Sequence, residues 1–209
     1  MSAAATTLDH VGICAREAGP LHGRFAALGF TLTPLARQSN AAGPLGTGNR
    51  CAFFRQGYLE LLAILDPTLP DNGLGALLDR HAGMRILALG MDDAEANLQR
   101  LRAAGLPIPG IAPLARPCDD PQGRPARFER LPLPDAPEGR VQLCRHLTPE
   151  LLWQERWMSH PNRVVALEEA FILADSPMDS AARLSTLAGR PLEPRPGGGV
   201  TLRLDQGAV

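Results

Sequence analysis

The chain has 209 residues, of which 44% are hydrophobic and 21% charged, as is typical of a globular protein with a buried core. Its formal net charge of -1 at pH 7 argues against nucleic acid or an anionic membrane surface as the main partner. No apolar run approaches the roughly 18 residues that cross a bilayer, and the first ten residues do not resemble a signal peptide. We therefore expect a cytoplasmic protein whose four cysteines are reduced.

The first predicted elements form a strand, a helix and three further strands. Residues 8–17 have the pattern of a short strand that runs into a helix, and Gly29 ends that helix. Three strand-like runs follow, at residues 30–35, 50–55 and 58–65. This order of elements is a βαβββ module.

The same module is repeated further along the chain. Residues 84–93 match the first strand, and Ala27-Leu28-Gly29 falls on Ala103-Ala104-Gly105 at the same offset without a gap. Strand-like runs follow at residues 127–133 and 140–145. A third, shorter copy has a strand pattern, a helix pattern that ends at a glycine, and one further strand, at residues 167–176, 178–189 and 200–204.

These repeats predict an α+β fold in which βαβββ modules pair into a cupped mixed sheet. A single module leaves one apolar sheet face exposed, so we expect a sister module to cover it. The prediction divides the chain into paired modules, a connecting helix that begins at Thr148 and an incomplete third module. The boundaries are residues 1–147 for the paired domain (about 6–66 and 82–147), 148–159 for the helix and 160–209 for the partial module.

Several motifs resemble a known superfamily. Leu8-Asp9-His10-Val11-Gly12-Ile13 and Tyr58-Leu59-Glu60-Leu61-Leu62 resemble the vicinal oxygen chelate superfamily, which includes glyoxalase I, extradiol dioxygenases, fosfomycin-resistance proteins and bleomycin-binding proteins. Gly48-Asn49-Arg50-Cys51-Ala52-Phe53 and His146-Leu147-Thr148-Pro149-Glu150-Leu151-Leu152-Trp153 look like the bacterial glyoxalase-like domain family. The resemblance covers nearly the whole chain and implies the fold more strongly than any one chemistry.

The resemblance also implies where a metal would bind. In metal-dependent members, ligands come from the first and last strand of each module, which are here His10, Glu60, Ile86 and Gln142. Ile86 has no donor atom, and Gln142 offers only a neutral amide oxygen, a weak ligand. We expect no tightly bound ion. The alternative is a weak or solvent-completed Zn, Ni, Fe or Mn ion held by His10 and Glu60, with Gln142 as a weak third ligand.

His146 is excluded from that site on length alone. Four residues of strand separate it from Gln142, a rise of about 13 Å.

The remaining candidate residues concern substrate. His10 and Glu60 form a general acid–base pair if no metal binds. The predicted wall of the cup contains Phe53, Leu62 and Ile86, with Gln142 as a further substrate contact. Arg85 either binds an anionic substrate or is a solvated arginine at the end of a strand.

Three functions remain open from the sequence. The first is a glyoxalase-like enzyme, a lyase or isomerase, that acts on a small oxygenated metabolite. The second is a non-catalytic small-molecule binding protein of the bleomycin-resistance type. The third is an assembly subunit, such as a homodimer, whose incomplete third module pairs with a second chain through its strand edges.

Overall fold

The computed structural model describes residues 4–40, 42–133 and 136–209. Met1 to Ala3, the start of the stretch searched for a signal peptide, lie outside these segments. The strands are β1 (Ala5–Ala15), β2 (Ala36–Asn40), β3 (Gly43–Phe53), β4 (Tyr58–Ile64), β5 (Gly83–Met91), β6 (Ala112–Arg116), β7 (Ala126–Pro132), β8 (Arg140–His146), β9 (Leu192–Pro194) and β10 (Val200–Leu202). The helices are α1 (Ala18–Ala27), α2 (Leu74–Arg80), α3 (Ala94–Ala103), a 3-10 turn (Pro149–Leu151), α4 (Glu155–Met158) and α5 (Pro177–Ala188).

Eight strands form one mixed sheet in the order β2-β3-β4-β1-β5-β8-β7-β6. β1 pairs in parallel with β4, and β5 pairs in parallel with β8, while β1 and β5 are antiparallel at the centre. Two βαβββ modules are thus joined through their first strands. The sheet curls into a nearly closed cup, so that its outer strands β2 and β6 approach each other. The predicted α+β fold of paired βαβββ modules is confirmed.

Helix α3 follows the predicted pattern closely. Ala94, Leu98 and Leu101 are buried on one face and pack on the outer, apolar side of the sheet. The Asp93 side chain accepts a hydrogen bond from the Ala96 amide at 2.9 Å and so caps the first turn. The helix stops just before Gly105, whose φ of +82° suits a residue without a Cβ.

The first strand after α1 was predicted too early. Residues 31–35 are unpaired, and β2 begins at Ala36. Proline at position 34 has no amide to donate to a ladder, and the neighbouring amides have other partners. The Thr33 amide donates to the Cys51 carbonyl at 2.9 Å, and the Thr31 amide donates to His160 Nδ1 at 3.0 Å.

Three further elements were missed because they are short, and one of them is the three-residue β9. Helix α2 has seven residues, too few for a clear helical period. Strand β6 has five residues, contains Pro113 and lies at the edge of the sheet, where proline is tolerated.

The connecting helix predicted at residues 148–159 is broken. A 3-10 turn and the four-residue α4 replace it. The Thr148 hydroxyl does not cap this turn and accepts a hydrogen bond from the Arg127 amide of β7 at 2.9 Å.

The C-terminal segment shares only part of the predicted third module. Helix α5 ends at Gly189 as expected, with a φ of +67°. Residues 167–176 form no regular strand, and within them Glu169 makes only a single bridge, to Ala208. β9 and β10 pair in a separate two-stranded sheet. None of the helices in the described segments has the length and apolar character needed to cross a bilayer.

Candidate functional site

The concave face of the sheet encloses a cavity of about 180 Å³. His10 of β1, Glu60 of β4 and Gln142 of β8 line it. Glu60 lies opposite Gly12 in the β1–β4 ladder, and Gln142 lies opposite Ala88 in the β5–β8 ladder. Glu60 and Gln142 therefore occupy equivalent places in the two modules, and the structure brings both to His10.

The two ring nitrogens of His10 have different surroundings. Nδ1 lies 2.5 Å from Asp9 Oδ1, whereas Nε2 lies 3.4 Å from the Gln142 amide nitrogen and 3.9 Å from Glu60 Oε2. A carboxylate only accepts and an amide nitrogen only donates, so Nδ1 carries the proton, and the Nε2 lone pair faces the cavity and accepts a long hydrogen bond from Gln142. The Tyr58 ring stacks on His10 at 4.4 Å and fixes the plane of the imidazole.

Asp9 is a site residue that the sequence analysis missed. The β1–β5 ladder shifts register between Leu8 and His10, and such a bulge breaks the alternation of side chains along a strand. Asp9 and His10 are both buried and in contact with each other. The sequence does place Asp9 directly beside His10. Strict alternation along a strand, however, would put these two side chains on opposite faces of the sheet.

Asp9 links His10 to a second histidine. His146 Nε2 lies 2.9 Å from Asp9 Oδ2, so one carboxylate bridges two imidazoles. Burial alone would raise the pKa of Asp9, but the charge of His146 and the hydrogen bonds with His10 and His146 outweigh burial and hold that pKa well below its usual range. His146 thus reaches the site through Asp9, a route that strand length alone did not reveal.

Replacing Asp9 with Asn is expected to lower the free energy of unfolding by roughly 1.5–3 kcal/mol at pH 7, because two hydrogen bonds lose their charged acceptor. The pKa of Asp9 is lower in the folded protein than its unfolded value of about 3.9. Its contribution is therefore present at neutral pH and declines as the pH falls below about 4. Urea unfolding of wild type and Asp9→Asn between neutral and acid pH measures this difference.

The exposed Asp92 provides the control, since Asp92→Asn should leave stability unchanged at every pH. A difference between wild type and Asp9→Asn that stays constant down to acid pH would contradict the assigned ionisation.

Glu60 is held in place by a neighbouring strand. The buried Asn49 of β3 donates a hydrogen bond from Nδ2 to Glu60 Oε1 at 2.5 Å. Glu60 Oε2 remains directed towards His10 at 3.9 Å, too far for a direct hydrogen bond. Both groups can therefore contact one ligand placed between them.

The other predicted substrate contacts divide into two groups. Leu62 and Ile86 line the cavity, and Phe53 and Arg85 lie outside it. Phe53 packs against the rings of Tyr58 and Trp153, with centroids 4.7 and 5.1 Å away. Arg85 is 3% exposed, so it is not the solvated arginine offered as the alternative.

Three arginines line the cavity that the sequence analysis did not select. They are Arg116 of β6, Arg130 of β7 and Arg140 of β8. Arg116 was missed because β6 itself was not predicted. Arg130 lies on the same strand face as Phe128, and the alternation of β7 was the available signal.

The cup does not offer a complete set of metal ligands. His10 Nε2 and Glu60 are good donors, Gln142 is a weak one, and the fourth position is the apolar Ile86. Arg116 and Arg130 add positive charge, which disfavours a cation. These residues do not fit a tight metal site.

A second group of donors lies beside the cup. Single donor atoms of Asp9, Cys144 and His146 lie within 4.8 Å of one another, so this group could hold a metal ion. Burial, followed by the charge of Asp9, raises the pKa of the Cys144 thiol well above its ordinary value. An ion would have to displace that thiol proton and compete with the hydrogen bonds of Asp9.

A family model described as a glyoxalase-like domain matches residues 8–188. A hypothetical protein from Staphylococcus aureus is similar at a TM-score of 0.71 and 12% identity, over 96% of this chain and 83% of its own. A mutant of 4-hydroxymandelate synthase from Streptomyces coelicolor has a TM-score of 0.57 and 14% identity, over 96% of this chain and 60% of its own. Methylmalonyl-CoA epimerase from Mycobacterium tuberculosis has a TM-score of 0.46 and 22% identity, over 69% and 91%. No curated protein matches the chain.

Proposed function

The chain belongs to the glyoxalase-like domain family of the vicinal oxygen chelate superfamily, and we propose that it is a lyase or isomerase that moves a proton next to a carbonyl group in a small oxygenated molecule. One observation carries this proposal. The contact of 2.5 Å between His10 Nδ1 and Asp9 leaves the lone pair of Nε2 facing the cavity. A histidine oriented by a buried carboxylate is suited to act as a general base.

The proposed reaction uses groups that already face the cavity. With a carbonyl compound between His10 and Glu60, His10 Nε2 takes the proton from the carbon next to the carbonyl. The imidazolium that forms is stabilised by the Asp9 carboxylate. Since a protonated Nε2 no longer accepts from Gln142, the Gln142 amide donates to the oxygen that gains negative charge. Return of the proton from His10 to the former carbonyl carbon completes an isomerisation, while Glu60 takes the proton of the neighbouring hydroxyl and passes it to the former carbonyl oxygen. Glu60, held by Asn49, accepts a hydrogen bond from a substrate hydroxyl.

Exchange of carbon-bound hydrogen for deuterium tests this proposal even before a product is identified. The protein is incubated in D₂O with a panel of small 2-oxo acids and hydroxy aldehydes, and the C–H signals are followed by proton NMR. We expect at least one compound to lose its signal faster than in a blank without protein. If compounds bind but none shows catalysed exchange, the proposed enzymatic activity is rejected.

The runner-up is a non-catalytic binding protein of the bleomycin-resistance type. Ile86, which lies where the family places a ligand, has no donor atom and adds to an apolar wall that includes Leu45, Leu62 and Leu114. This proposal predicts binding that survives loss of both His10 and Glu60, because neither would be needed for packing a ligand against that wall.

We expect protein purified without an affinity tag to contain less than one equivalent of Zn, Ni, Fe or Mn, because the cup lacks a third strong ligand. Elemental analysis measures this directly. One equivalent of metal that disappears in a His10→Gln, Glu60→Gln double variant would contradict the expectation for the cup. Metal that instead disappears in Cys144→Ala would place the ion at the Asp9, Cys144 and His146 group.

A cytoplasmic location and a homodimer stay predictions. Sedimentation that shows only monomer at high concentration would reject the dimer.

A further inference from the structure

The charges around the cup cavity are unbalanced. Arg116 and Arg130 line it, and Glu60 is the one carboxylate among the described residues that do so. Across the described segments, no carboxylate lies within ion-pair distance of Arg116 or Arg130. The cavity therefore has an excess of positive charge.

The contacts of Arg116 and Arg130 are weak substitutes for a counter-ion. Arg116 is 7% exposed, and its side chain contacts Cys51 Sγ at 3.8 Å and lies 5.6 Å from the centre of the Phe128 ring. Arg130 donates to Gln142 Oε1 over a long 3.4 Å, and its buried Nε has no hydrogen-bond partner. Neither cation is neutralised by these contacts.

Such an arrangement is costly unless a ligand completes it. Arg116 is buried and Arg130 is half-buried. A buried charge without a partner destabilises a fold, and buried arginines are normally paired. The guanidinium fork matches the two oxygens of a carboxylate or phosphate group. Positive groups that face an enclosed space are therefore best satisfied by an anion inside it.

We propose that the cup binds a small anionic substrate whose carboxylate or phosphate group is held by Arg130 and Arg116. The site of proton transfer then lies at the His10 and Glu60 end of the same molecule. This inference rests on the proposed function, because it names the substrate class of that site. Binding of the anion does not itself require His10.

The size of the cavity limits the ligand. About 180 Å³ corresponds to roughly six water molecules at about 30 Å³ each. That volume suits a short-chain acid or a small phosphate compound rather than a drug-sized molecule.

Calorimetric titration with four probes tests the proposal. Pyruvate and inorganic phosphate supply the two anionic groups, pyruvamide is a neutral molecule of the same size as pyruvate, and chloride controls for ionic strength. We expect pyruvate or phosphate to bind at least about tenfold more tightly than pyruvamide, and binding to weaken as salt is added. Which anion binds better distinguishes the carboxylate from the phosphate.

Arg130→Gln is expected to remove this preference for the anion, and Arg130→Lys to restore only part of it, since lysine lacks the planar fork. Arg127, on the same strand and exposed, is the matched control, and Arg127→Gln should bind as wild type. The proposal is overturned if neither pyruvate nor phosphate binds more tightly than pyruvamide, if neither anion binds at millimolar concentration, or if Arg130→Gln behaves as wild type.

His10→Gln separates this inference from the proposed function. If the wild type shows no deuterium exchange and His10→Gln still binds the anion, the anion site is retained and the proposed enzymatic activity is rejected. If the wild type shows deuterium exchange but no preference for anions, the proposed enzymatic activity is retained and the anion site is rejected.

Discussion

Replacing His10 with Gln is expected to lower the rate of deuterium exchange into substrate by about 10²–10⁴-fold, the usual contribution of a general base. The effect should be large because His10 Nε2 is the basic atom that faces the cavity while its Nδ1 is held by Asp9. Glutamine can still donate to Asp9, so the fold should be preserved. Proton NMR of exchange in D₂O, with the compound found active for wild type, measures the loss.

The exposed His81 supplies the control for this variant. His81→Gln should exchange at the wild-type rate, since His81 does not line the cavity. Full exchange activity in His10→Gln, with unchanged ligand binding, would remove His10 from the chemistry. A parallel loss in His10→Gln and His81→Gln would point to a general effect on folding.

The fold was predictable because its repeats carry regular hydrophobic patterns. Helix α3, with Leu98 and Leu101 on its buried face, and the helix ends at Gly105 and Gly189 follow from sequence spacing and local backbone preference. The misplaced strand at residues 30–35 shows the limit of such patterns. Its amides are bonded to Cys51 and His160, partners that only the tertiary structure supplies.

The candidate site was predicted in part for a related reason. The repeat and the resemblance placed His10, Glu60 and Gln142 in one cup, and the structure brings them together. Asp9 was missed because a bulge in β1 overrides the alternation of side chains. His146 lies outside the cup cavity, as the strand length predicted, and reaches the site only through its contact with Asp9.

The arginines were missed because charge in a sequence is expected at the surface. All 21 basic residues are arginines spread along the chain, so none stands out by type. Arg116 and Arg130 are candidates only because the curled sheet places them at the wall of the cavity. Closure of the cup depends on contacts between distant parts of the chain, so it cannot be predicted from any short stretch of sequence.

Leu187→Ala is expected to lower the free energy of unfolding by about 2–5 kcal/mol, the range for a buried leucine truncated in a core. Leu187 of α5 is 4% exposed and belongs to the same apolar cluster as Leu89 of β5 and Leu143 of β8. Although residues 160–209 add no strand to the main sheet, they share its core. We therefore propose that this segment and the paired modules unfold as one cooperative unit.

The two tryptophans make this coupling measurable. Trp153 and Trp157 are the only tryptophans in the chain and pack in a different cluster, with Phe53 and Leu152 among its members. Urea unfolding of Leu187→Ala is followed by tryptophan fluorescence and by circular dichroism, and both midpoints should fall together. Leu173→Ala, at a fully exposed position of the same segment, should leave both unchanged. A fluorescence midpoint that stays at the wild-type value would show that residues 160–209 unfold independently, because the mutated core would then be separable from the cup.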